Sequence, residues 1–197
     1  MKLRMLLVVF IVAVLATPAM AAGPYMGGSL GVAIFHDSDL SAGGNTANAE
    51  YDPGFTFNIN GGYNFDPVRL EAEFGYKNAD LDKITVGGST FSGSGSDVTV
   101  LSYMLNGYYD FKISSPFTPY VGAGLGILHG ELDDAGVKSD DTTFGYQFMV
   151  GAGYKINKHI TLDLSYRFQG AASDFSENGL SISYHSSNIL AGVRYNF

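Results

Sequence analysis

The sequence predicts an all-β fold: an eight-stranded antiparallel barrel that crosses a membrane. Three observations carry that expectation. Apolar and polar residues alternate with a period of two in eight separate stretches, and that period puts successive side chains on opposite faces of a strand. One face of these stretches is crowded with Phe and Tyr, and the other is small, polar or charged. The connections alternate strictly between short and long.

The chain opens Met-Lys-Leu-Arg, runs apolar from Met5 to Ala16 and reaches an A-x-A site at Ala19 and Ala21. A charged start, an apolar run and small residues at a cleavage site describe a secretory signal peptide, here residues 1–21. The run is short of the roughly 20 apolar residues a spanning helix needs. Residues 22–197 then form one barrel domain. Its formal charge would be −10, because Lys2 and Arg4 leave 9 cations against 19 acids. So acidic a chain is not built for nucleic acid. With no cysteine it has neither disulfide nor thiol chemistry.

The first strand is expected over 25–35, with Met26, Leu30, Val32 and Ile34 on one face. A polar loop, 36–53, leads to a second strand, 54–65, carrying Phe55, Phe57, Ile59, Tyr63 and Phe65 together. Asp66-Pro67 turns the chain. The third strand, 68–77, alternates most cleanly: Val68, Leu70, Ala72, Phe74 and Tyr76 against Arg69, Glu71, Glu73, Gly75 and Lys77. A long loop, 78–97, contains a Gly/Ser run. Strands follow at 98–111 and 117–128, joined by a turn at 112–116. An acidic loop, 129–141, precedes the sixth strand, 143–156. A turn at 157–159 leads to the seventh, 160–169. A loop from Gly170 then reaches the closing strand, 184–197, with Ile189, Ala191, Val193, Tyr195 and Phe197 on its apolar face. Each stretch is near or above the roughly 9–11 residues that a tilted strand needs to cross a bilayer. Short turns on one side and long loops on the other fit a barrel whose turns are periplasmic and whose loops are external.

Side-chain volume decides which face is outside. The apolar face carries Phe55, Phe57, Tyr63, Phe65, Phe74, Tyr76, Tyr103, Tyr109, Phe111, Tyr146, Phe148, Tyr154, Tyr166, Phe168, Tyr195 and Phe197. An eight-stranded barrel is only just wide enough for its own side chains, so these rings belong in lipid. Those at the short-turn ends suit an interfacial aromatic girdle. The inward face then holds Arg69, Glu71, Glu73, Lys77, Asp110, Lys155, Asp163, Arg167 and Arg194, five cations and four anions. Isolated charges there would be costly, so a paired lumen network is expected.

The third strand Val68–Tyr76, the fifth-strand run Pro119–Gly126 and the ending Ala191–Phe197 resemble the opacity-type, outer-membrane protein A-like small barrels of Gram-negative bacteria. The resemblance covers essentially the whole mature chain. It implies a monomer in the outer membrane, set among lipid and lipopolysaccharide. It also implies that Tyr195 and Phe197 act as the signal read by the barrel-assembly machinery. Members of such a family include adhesins, surface antigens and proteins named porins, so fold alone does not give function. The resemblance points to a non-enzymatic surface protein whose loops, centred on residues 45, 87, 135 and 177, meet an extracellular or host ligand. A narrow passive porin and a lipid A-modifying enzyme are the alternatives.

Three constellations bear on chemistry. His185-Ser186-Ser187-Asn188 resembles an element of the outer-membrane lipid A deacylases, with His185 and Ser187 on the lipid side. A Ser–His hydrolase also needs a carboxylate to orient the His, and only Asp174 or Glu177 in the preceding loop offers one. Glu71 and Glu73 lie about 6.6 Å apart along the strand, a spacing seen in glycosidase pairs, but ion pairing with nearby Arg69 accounts for them. The acidic loop residues Asp37, Asp39, Glu131, Asp133, Asp134, Asp140 and Asp141 match no calcium-loop spacing. No catalytic, cofactor or metal site is expected.

Overall fold

Alternation becomes a closed wall because every long strand finds an antiparallel partner on each side. The computed structural model describes residues 23–36, 38–42, 45–86, 89–92, 96–134, 137–173, 175–177, 180–182 and 184–197. The expected signal segment and the loop centres 87 and 135 lie outside the described residues. The eight long strands are β1 (Gly23–Phe35), β2 (Gly54–Asn64), β3 (Val68–Val86), β4 (Ser96–Asp110), β5 (Phe117–Asp134), β6 (Val137–Lys155), β7 (Ile160–Ala171) and β8 (His185–Asn196). Each pairs with the next. β8 returns to β1, with Leu30 opposite Ala191 and Ala33 opposite Asn188. Closure removes the sheet edge, so the ladder satisfies the backbone where water is absent.

The expected faces hold. Leu105 and Leu125 are each 71% exposed, whereas Arg69 is 3% and Lys77 1% exposed. None of the sixteen rings assigned to the outer face is buried. A soluble barrel would show the opposite distribution.

Among the described residues five rings turn inward: Tyr25, Phe35, Tyr108, Tyr120 and Tyr184. Three fit because a glycine stands opposite in the neighbouring strand. Tyr25 faces Gly62, Tyr108 faces Gly122 and Tyr120 faces Gly151. A Cβ on Gly62 or Gly151 would lie 2.7 Å from the facing ring, closer than packing allows. The abundant glycine therefore lets rings lie flat against the inner wall.

The short turns are tied by their own side chains. Asn157 Oδ1 accepts the His159 and Ile160 amides at 2.8 and 2.9 Å. Lys112 Nζ reaches Asp66 Oδ2 at 2.9 Å and links two turns.

The long connections differ from expectation. Loops were expected over 78–97 and 129–141, yet β3 runs to Val86, β4 starts at Ser96, β5 runs to Asp134 and β6 starts at Val137. Polar composition reads as loop, but a solvated antiparallel ladder needs only cross-strand partners and tolerates charge on either face. Short strands add to this: Ser38–Ala42 and Asn45–Tyr51 in the first connection, Ser89–Ser92 in the second, and Phe175–Glu177 and Leu180–Ile182 in the last. Leu40 pairs with Ile182, joining the first and last external connections. Asn45–Tyr51 and Ser89–Ser92 both pair with the far end of β3. The barrel thus carries a β-structured crown. One row of its ladder sets Asp80, Asp97 and Asp133 opposite one another on three neighbouring strands.

Leu105 tests the membrane assignment. Leu105→Arg is expected to destabilise the barrel by about 2–4 kcal/mol, the usual effect of a cation on the lipid face near mid-membrane. Leu105→Phe should be close to neutral. Denaturant unfolding in lipid vesicles measures both, and equal stabilities would remove lipid from that face.

Candidate functional site

Strand alternation delivers eight of the nine expected charges to the lumen, and their chemistry sorts them into pairs. Near the short-turn end, Arg69 Nε donates to Asp110 Oδ2 at 2.8 Å and to Oδ1 at 3.0 Å. Its guanidinium lies 4.4 Å from the Tyr108 ring centroid and 4.9 Å from that of Tyr120. Arg194 donates to both oxygens of Asp163, at 3.0 and 3.2 Å. At mid-height Arg167 grips Glu73 with two hydrogen bonds, of 2.5 and 2.8 Å. Planar guanidinium on planar carboxylate is the geometry that best offsets burial of both charges.

The last two charges, Glu71 and Lys77, meet no opposite charge directly. Glu71 instead accepts from Tyr25 Oη at 3.0 Å, Tyr108 Oη at 2.9 Å and Asn106 Nδ2 at 3.3 Å. Lys77 Nζ donates to Gln169 Oε1 at 2.5 Å, Ser186 Oγ at 3.2 Å and Tyr184 Oη at 3.3 Å. Neutral amides connect them head to tail. Gln169 Nε2 donates to Gln147 Oε1 at 3.1 Å, Gln147 Nε2 to Asn106 Oδ1 at 2.7 Å, and Asn106 Nδ2 to Glu71 Oε1. The ammonium end wants acceptors and the carboxylate end wants donors, so the two ions fix the direction of every amide between them. The relay leaves β3, crosses β7, β6 and β4, and returns to β3.

Lys155 is a correction. It was expected in the lumen, but it is exposed at the short-turn end of β6. At the strand's last residue the wall ends, and water solvates the side chain. Without it the expected set that the described residues place in the lumen is four cations (Arg69, Lys77, Arg167, Arg194) and four anions (Glu71, Glu73, Asp110, Asp163).

Sequence reasoning missed a second feature. Ala33, Phe35, Ala79, Val100, Met104, Leu128 and Tyr184 form a buried apolar cluster inside the wall, towards the crown. Its signal was in β4, where Val98, Val100 and Met104 make the inward face apolar as well. Phe35 and Tyr184 meet edge to face, 5.8 Å between centroids.

The other constellations fall as follows. Ser186 and Asn188 point inward and are buried, while His185 and Ser187 lie outward. Ser187 Oγ sits 2.8 Å from His36 Nε2 and 2.8 Å from Tyr166 Oη. Its histidine partner is thus His36; the His185 ring stacks on Phe168 at 5.8 Å. Asp174 lies outside the described residues. Tyr195 and Phe197 meet edge to face at the rim, 5.2 Å apart, and both are exposed. Among the described residues no group of three His, Asp or Glu side chains is placed to hold a metal.

A family model described as the outer membrane protein beta-barrel domain matches residues 5–197. The chain belongs to this family. It is an outer-membrane protein of the Gram-negative kind. The outer membrane protein PagN of Salmonella typhimurium is 27% identical over 66% of this chain and 66% of its own length. A Rickettsia conorii protein, named as a proposed adhesin, is 27% identical over 76% of this chain and 70% of its own. The chain thus spans about two thirds of the length of these relatives. Among solved structures, neisserial surface protein A superposes with a TM-score of 0.63 at 24% identity, covering 89% of this chain and 99% of that one. OprG of Pseudomonas aeruginosa gives 0.61 at 17% identity, covering 89% and 96%. These two likenesses bear on fold alone.

The Arg167–Glu73 pair gives a stability test. Arg167→Met strands a buried carboxylate and should cost about 3–5 kcal/mol. Adding Glu73→Leu should recover most of that loss, because the stranded charge goes with it. Urea unfolding of the single and double variants in vesicles decides; additive losses would show that the two do not act as a pair.

Proposed function

We propose that this protein is a non-enzymatic display scaffold of the outer membrane. The barrel holds the crown for adhesion or another surface interaction and contributes to membrane integrity. One observation carries the reading: the lumen is occupied by ion pairs, a hydrogen-bonded relay and an apolar cluster, while the elaborated structure lies in the external connections. Side chains that fill a barrel are spent on holding it together. Residues raised beyond the lipid on a rigid wall are free to meet a partner, as loops on a scaffold generally are.

The adhesin name of one relative supports the same reading. The partner is an extracellular or host ligand met by the connections 36–53, 78–97, 129–141 and 170–183. The barrel works as a monomer within lipid and lipopolysaccharide. Its last strand, ending in Tyr195 and Phe197, is what the assembly machinery engages.

Replacing all four connections by short turns should leave a folded barrel in the outer membrane and abolish attachment of the expressing cells to host cells or matrix. Attachment that survives loss of all four would overturn the reading.

A further inference from the structure

The two ends of the barrel carry opposite charge. The long connections, 36–53, 78–97, 129–141 and 170–183, contain fourteen acidic residues and two lysines. The short turns, 65–67, 111–117 and 154–159, contain three lysines, Lys112, Lys155 and Lys158, and one acid, Asp66. Lys112 is tied to Asp66. Lys155 and Lys158 are exposed, and neither has an ion-pair partner among the described residues.

Two of these turns form one surface. Phe117 pairs with Tyr154 across β5 and β6, and the Lys155 amide donates to Pro116 O at 2.9 Å. Each turn opens with an aromatic residue, a lysine and an isoleucine: Phe111-Lys112-Ile113 and Tyr154-Lys155-Ile156. Ile113 and Ile156 are each 52% exposed, and Phe117 and Tyr154 beside them are nearly as open. An isoleucine on a tight turn in water gains nothing from its place. At the lipid boundary it buries its side chain among acyl chains, while a lysine beside it lays its stem along apolar surface and reaches the headgroups.

We infer that the joined turns 111–117 and 154–158 bind an anionic phospholipid of the periplasmic leaflet. Lys155 and Lys158 hold its phosphate, and Ile113, Ile156, Phe117 and Tyr154 lie against the start of its acyl chains. Charge and apolar surface together select this occupant. A free phosphate would use the lysines and leave the isoleucines uncovered. A zwitterionic lipid brings its own ammonium group to its phosphate and has less to offer a lysine. Each lysine close to an anionic leaflet favours it by about fivefold at low salt. The acidic connections repel the same lipid, so the preference belongs to one leaflet. The site lies at the opposite end from the crown and does not depend on what the crown binds.

The chain contains no Trp, so Phe117→Trp places a single fluorophore in the patch; if that variant does not refold, Tyr154→Trp serves the same measurement. In phosphatidylcholine vesicles at low salt, brominated phosphatidylglycerol is expected to quench it several-fold more effectively than brominated phosphatidylcholine. Adding Lys155→Gln and Lys158→Gln should make the two lipids equal. Phe144→Trp, on the outer face towards the crown, should show no preference for phosphatidylglycerol. Glycerol phosphate on both sides of the bilayer, at matched ionic strength, should leave the preference at Phe117→Trp intact. Equal quenching by the two lipids there, or a preference that survives loss of both lysines, would overturn the site. An equal preference at Phe144→Trp would overturn its restriction to one leaflet, and displacement by glycerol phosphate would overturn the choice of a lipid.

Discussion

An eight-stranded barrel gives its inward side chains almost no room and little bulk water. The charges that alternation turns inward are therefore held by partners inside the wall. That constraint shapes the rest of the molecule. It selects bidentate guanidinium–carboxylate contacts at Arg167–Glu73 and Arg194–Asp163. It sets glycine opposite the inward tyrosines. It also places the larger share of aromatic area on the outer face, where hydrocarbon and headgroups accept it.

The relay from Lys77 to Glu71 shows what such a lumen does for the fold. Two ions on one strand, out of direct reach of each other, are joined through Gln169, Gln147 and Asn106 on three other strands. The relay closes only when the barrel closes in this register. A one-residue slip of any participating strand would turn its amide out to lipid. Buried polar groups that specify one arrangement over its neighbours are known in some other systems, and here they tie β3 to β4, β6 and β7.

Strand-level architecture was legible in the sequence because lipid outside and a narrow lumen inside impose opposite chemistry on alternate residues. Val68–Lys77 could be read residue by residue, and Arg69, Glu71, Glu73 and Lys77 all point where alternation puts them. Partnership was not legible. Glu73 pairs with Arg167, 94 residues away, because closure of the ring sets β3 opposite β7 across the lumen, and no local pattern encodes that meeting. Inward Tyr25, Tyr108 and Tyr120 escaped notice for a related reason: the glycine that admits each ring lies on the next strand. Lys155 was misplaced because alternation says nothing of where the wall stops. The crown reads as loop because its short strands are broken up by Gly, Ser, Asn and Asp, the residues of turns.

The proposed scaffold role depends on a filled lumen. Single-channel recording of the refolded protein in a planar bilayer at high salt tests it most directly. With the strand signal confirming the fold, a silent membrane is the expected result. Discrete, reproducible conductance steps would contradict it and would mean that ions pass between the charge pairs and past the apolar cluster.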